Sequence, residues 1–148
     1  MISHTVEPRC LAATTRLGRV LYDLCDEGAN VTIITRPPRS LELLKEFSSL
    51  EANGINFLFN EAIEANLFIF KLKDGSDYQA ETSGLADAAY LGSAALTMEC
   101  MEASSNLNDN LLYEIIDLDL VHADDYATAL AARSLDVIGV RTSLAGNN

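Results

Sequence analysis

Two short β-branched and aromatic runs, VTIIT at Val31–Thr35 and INFLF at Ile55–Phe59, constrain this chain more than any other feature. Runs of this length and make-up suit strands buried on both faces. Between them Pro37-Pro38 breaks the chain and Ser40 stands where a helix cap belongs. Leu41, Leu44 and Phe47, widened by Leu43 and Leu50, then mark one helical face that stops near Gly54. A strand, a helix and a strand in this order make a crossover, not a hairpin. The second strand therefore returns parallel to the first, with right-handed connection.

The flanking segments extend the pattern. Upstream, Arg9–Ala13 is a short apolar run that predicts a strand. Thr14 or Thr15 then caps a helix carrying Leu17, Val20, Leu21 and Leu24, with Gly28 as its left-handed stop. Downstream, Leu67–Leu72 predicts a strand that ends at the turn-forming KDGSD, and Ala88–Leu91 its return partner, followed by the loop GSAALT. Leu111–Leu118 predicts a further strand and Ala123–Ser134 a helix. The tail RTSLAGNN carries no periodicity and is expected to fray, and His4 falls in an end expected to be loose. The expected fold class is α/β, a mixed, largely parallel sheet flanked by helices, built as one domain over residues 1–148.

Composition narrows the function. Ten basic against 22 acidic residues give a net charge of −12, a surface that repels polyanions, so direct nucleic-acid binding is not expected. Lysine is confined to Lys45, Lys71 and Lys73, and the local basic pairs are Arg16 with Arg19 and Arg36 with Arg39. No run approaches the roughly 20 apolar residues of a membrane span, and MISHTVEPRC lacks the charged flank and apolar centre of a secretory signal. Cys10, Cys25 and Cys100 are odd in number and form no CxxC pair, which argues against a disulfide framework or a zinc site and agrees with a cytoplasmic protein. They read as small buried apolar residues.

The order GANVTIITRPP, helix, GINFLF, IEANLFIFKL, AAYLGSAALT resembles one repeat of the phospholipase D superfamily, in its single-domain, nuclease-like branch. The resemblance covers roughly residues 9 to 117. In that family one strand carries H-x-K-x-x-x-x-D and a following strand delivers a G-S-x-N loop. Here Glu64 stands at the histidine, Asn66 at the lysine and Lys71 at the aspartate. Gly92 and Ser93 keep the loop's glycine and serine, and Ala95 replaces its asparagine. The resemblance thus implies a phospholipase D-like fold whose vestigial cleft is lined by Glu64, Asn66, Lys71, Gly92, Ser93 and Ala95.

The family reaction needs one imidazole to attack phosphorus, a second to protonate the leaving oxygen, and lysines to hold the phosphoryl charge. Losing one such charge-stabilising group typically costs about a hundredfold or more in rate. With all of them replaced, no catalytic residue, cofactor or metal is expected. Because active relatives bring two units together, the resemblance implies a homodimer that binds a protein partner or a small polar ligand, as a scaffold, regulatory subunit or sensor. Two other readings follow: a phosphodiesterase or nuclease using residues outside the motif, and an effector-sensing partner of a transcription regulator.

Other constellations carry less. His122, in HADD, reads as a residue near a helix start with no lysine beside it in sequence. Glu61, Glu64, Asp74, Asp77 and Glu81 fall across a strand edge and a loop, where a solvated surface accounts for them better than a metal. No Gly-rich phosphate loop is present, and Ser93 lacks the G-x-S-x-G setting of a hydrolase.

Overall fold

Both β-branched runs form strands in the computed structural model, which describes residues 1–63, 65–71, 88–101, 112–116 and 118–146. The strands are β1 (Ile2–Ser3), β2 (Val31–Thr35), β3 (Ile55–Phe59), β4 (Asn66–Phe70), β5 (Ala88–Gly92) and β6 (Leu112–Ile115). The helices are α1 (Arg16–Asp26), α2 (Leu41–Glu51), the short α3 (Met98–Met101), α4 (Leu118–Ala131) and α5 (Val137–Gly146). All six strands join one sheet in the order β3-β2-β1-β4-β5-β6. The fold is α/β with a mixed sheet. Its parallel pairings are β1 with β2 and β2 with β3, while β1–β4, β4–β5 and β5–β6 are antiparallel.

Two apolar layers cover the sheet. On one face Ile33, Phe57, Phe59 and Phe68 pack with Leu21 of α1, Leu44 and Phe47 of α2 and Val140 of α5. On the other, Ile2, Ile34, Leu67 and Ala89 pack with Ala123 and Leu130 of α4. Alternation along β2 explains the split, since Ile33 and Ile34 point to opposite faces. Both helix starts follow the expected chemistry: the Thr15 side chain accepts from Gly18 N–H, and Ser40 from Leu43 N–H. Gly28 and Gly54 adopt φ of 86° and 95°, the left-handed geometry that ends α1 and precedes β3. At Gly18 a Cβ would lie 2.0 Å from the Ala12 carbonyl oxygen, so α1 sits backbone-close on the preceding turn.

Four expectations are corrected. Arg9–Ala13 is not a strand: Pro8–Leu11 forms a 3-10 turn, with Pro8 opening it and Cys10 and Leu11 buried. The first strand is instead Ile2–Ser3, too short to show a period and held by pairing on both sides. This places His4, expected in a loose end, at the centre of the sheet. The tail is not frayed through its length either. Asp136 Oδ1 accepts from Gly139 N–H at 2.7 Å and starts α5, whose Val137 and Val140 are buried against α2 and β3. Finally, Leu118 opens α4 instead of ending a strand, and α4 begins five residues before the expected Ala123. Leu72, the expected end of the strand now seen as β4, lies outside the described residues.

Leu135 joins the outer edge of β3 through two hydrogen bonds with Phe59, of 2.7 and 2.9 Å. That short bridge covers one end of an edge otherwise unpaired among the described residues and turns the chain from α4 into α5. At the other end of the sheet β6 is a margin strand, with Leu112 and Tyr113 exposed.

Candidate functional site

Asn66 opens β4 and is 2% exposed. A buried amide must find partners for its oxygen and its two N–H groups, and Asn66 finds them at the ends of two neighbouring strands, β1 and β5. Its Nδ2 donates to the carbonyl oxygens of Gly92, at 3.5 Å, and Ser93, at 3.2 Å. Its Oδ1 accepts from His4 N–H at 3.1 Å, faces His4 Nδ1 at 3.0 Å, and lies 2.9 Å from the Ser3 hydroxyl. The single Ser3 proton is shared with the Thr5 carbonyl, and the Ser3 oxygen accepts from Leu96 N–H. One side chain thus ties the end of β1, the start of β4 and the end of β5 together.

The loop after β5 is fixed from the other side as well. Leu96 pairs with Val6, its carbonyl accepting from Glu7 N–H at 2.8 Å and from Cys10 Sγ at 3.0 Å. Glu7 Oε2 accepts from Met98 N–H at the start of α3. Burial pushes the Cys10 thiol up to about 12, with the Glu7 charge adding to the rise, so at neutral pH it is a packed, protonated group and not a nucleophile.

Of the six residues read as a vestigial cleft, three come together. Gly92 is the direct strand partner of Asn66, and Ser93 follows it, exposed, with its carbonyl on the Asn66 amide. Ala95 is buried beside Leu96 in the same loop. Lys71 does not join them. It lies past the far end of β4, five residues or about 17 Å along the strand, where Nζ meets Asp124 Oδ1 of α4 at 2.6 Å. Glu64 lies outside the described residues, as do Asp74, Asp77 and Glu81. Among the described residues no three His, Cys, Asp or Glu side chains are placed to share a metal ion. His122 is exposed in the second turn of α4.

Sequence reasoning missed His4 and Ser3. The signal was slight: two apolar-to-polar residues ahead of a turn, with no period to reveal a strand. It placed Arg36 only as half of a basic pair with Arg39. Arg36 directs Nε and Nη2 onto the Ile63 carbonyl at 3.1 and 2.8 Å, so its guanidinium is anchored three residues before Asn66.

A separate open groove of about 690 Å³ lies between α1 and the end of α2, lined in part by Tyr22, Cys25, Asp26, Asn53 and Gly54. Burial raises the Tyr22 phenol and the Cys25 thiol above their ordinary values, against opposing hydrogen bonds from Asn53 and from the Val31 backbone. Neither group is thereby readied as a nucleophile.

No family model and no curated protein matches this sequence, and no solved structure matches this fold.

Proposed function

We propose that the chain is a non-catalytic, phospholipase D-like module that works by binding, as a cytoplasmic homodimer with a protein partner or a small polar ligand. The observation that carries this reading is the state of Asn66. At the position where the resemblance implies a phosphate-holding lysine stands a buried amide whose polar atoms are all engaged within the fold. Such a side chain reaches no substrate and supplies no positive charge to a developing phosphorane. Lys71, at the aspartate position, is engaged with Asp124. Two features support the family frame: the strand that Asn66 opens pairs directly with the strand that delivers the Gly-Ser loop, and Asn66 touches that loop. The absence of a long apolar helix among the described residues agrees with a module that does not span a membrane by helix.

The test is turnover. Purified protein at high concentration is incubated with bis(p-nitrophenyl) phosphate and with single-stranded DNA, with and without Mg²⁺, Mn²⁺ and Zn²⁺. No cleavage above buffer is expected. Sustained release that co-purifies with the protein and is lost in His122→Ala or His4→Ala replaces the module reading with the enzyme reading. Sedimentation equilibrium checks the dimer, for which the expected mass is twice that of the chain. A monomer at every concentration removes the self-associating part.

A further inference from the structure

The hydrogen bonds around Asn66 decide a proton that no other feature decides. The carbonyl oxygens of Gly92 and Ser93 only accept, so the Asn66 group facing them is the NH₂. The amide oxygen then faces His4. An oxygen facing Nδ1 at 3.0 Å requires that Nδ1 carry the hydrogen. Neutral His4 is therefore the Nδ1–H tautomer, with its lone pair on Nε2. That nitrogen makes no hydrogen bond with any described residue, and no buried side-chain nitrogen or oxygen among the described residues lacks a partner, so Nε2 reaches solvent.

The location adds weight. The chain leaves β1 toward β2 and β3 on one side, and β4 flanks β1 on the other. In open α/β sheets ligands bind beyond the carboxyl ends of the parallel strands; here β1 and β2 share that end, and antiparallel β4 contributes its amino end beside them. His4 stands just past the carboxyl end of β1, and its bond to Asn66 crosses from β1 to β4. Arg36 is level with it, because Ser3 pairs with Thr35 and the next residues are His4 and Arg36. Anchoring through Nε and one Nη2 hydrogen leaves the end-on pair of Nη1 and Nη2 hydrogens, a fork that fits one carboxylate. Arg36 forms no ion pair with the described residues.

We propose that His4 and Arg36 form a binding point for a small hydroxycarboxylate. The carboxylate takes the open edge of Arg36 and the hydroxyl donates to His4 Nε2. A singly charged ligand suits a chain of net charge −12 better than a multiply charged one. This goes beyond the module reading and does not use the family resemblance. Turnover of a diester overturns that reading and leaves the His4 tautomer where it is.

The experiment is long-range ¹H–¹⁵N correlation of the histidine rings in the full chain at pH 7.5, followed by titration with glycolate, acetate and inorganic phosphate. The protein holds two histidines, so exposed His122 is an internal reference. His4 is expected as the Nδ1–H tautomer, and glycolate is expected to move its Nε2 resonance with affinity about tenfold above that of acetate, which lacks the donor. Arg36→Gln is expected to remove binding while leaving the His4 tautomer unchanged, and His4→Phe to abolish the preference for glycolate over acetate. An Nε2–H tautomer at His4, equal affinity for glycolate and acetate, or preferential binding of phosphate each overturns the proposal. The tautomer is read on the unaltered protein, so a variant that fails to fold does not protect the idea.

Discussion

The two halves of the sheet are built on different principles. In β1, β2 and β3 the strands run parallel, helices lie against them, and β2 is buried at four of its five positions. In β4, β5 and β6 the strands are antiparallel and burial fades outward, until three of the four β6 residues are exposed. Parallel strands need crossovers, and the crossover helices cover the sheet as they form. Antiparallel strands need none, so this half relies on α4 for one face and on single side-chain ties for its position. The lesson is that apolar area holds the first half, and specific polar contacts register the second against it.

That contrast is open to direct attack. The largest effect belongs to the aromatic centre of the parallel half, where Phe47 meets Phe57 and Phe59 edge-on at 5.0 and 5.4 Å. Phe47→Ala is expected to cost about 3–5 kcal/mol in urea unfolding, whereas Leu112→Ala on β6 stays within about 0.5 kcal/mol. Equal losses at the two sites would end the comparison. Next comes the tie between the halves. Asn66→Leu strands the carbonyls of Gly92 and Ser93 and the donors of β1, and should cost about 2–3 kcal/mol by the same measurement. A neutral result means that water replaces the amide and that the halves are registered elsewhere.

Smaller effects sharpen the picture. A double-mutant cycle of Lys71→Met and Asp124→Asn is expected to give a coupling of about 1 kcal/mol, since Lys71 is 44% exposed and Asp124 only 11%. Raising the salt should reduce that coupling only in part, because the carboxylate is largely shielded. Cys10 should contribute no pH dependence at neutrality. Its folded-state pKa of about 12 lies above the ordinary 9.0, so the unfolded thiol ionises first. Stability linked to Cys10 is complete below pH 9 and falls as pH rises from there toward 12. Thiol titration at pH 8 should accordingly label Cys10 last, and only on unfolding. Rapid labelling in the native protein contradicts the packing described here.

Legibility followed the same division. VTIIT, INFLF and the Ser40-capped helix between them were legible because local composition, cap and burial agree. So was the antiparallel return from β4 to β5, through two apolar runs separated by the turn-forming KDGSD. The tail was not, although Asp136 as a cap with Val137, Val140 and Leu144 at helical spacing offered a signal that the surrounding glycine and serine obscured. Within the candidate site, Asn66 meets Gly92 and Ser93 across β4 and β5. The separation of Lys71 from them follows from strand geometry, since five residues along an extended chain carry a side chain to the far end of the sheet.

By itself the sequence determined the α/β class, the parallel crossover from β2 to β3 and the cap of α2, because those rest on contacts between residues near in the chain. Only the tertiary structure decided that Ile2–Ser3 is a central strand, that His4 meets Asn66 62 residues away, and that Lys71 belongs to Asp124. A two-residue strand has no period, and a buried amide has no sequence signature. Both are defined by neighbours that folding alone brings within hydrogen-bond reach.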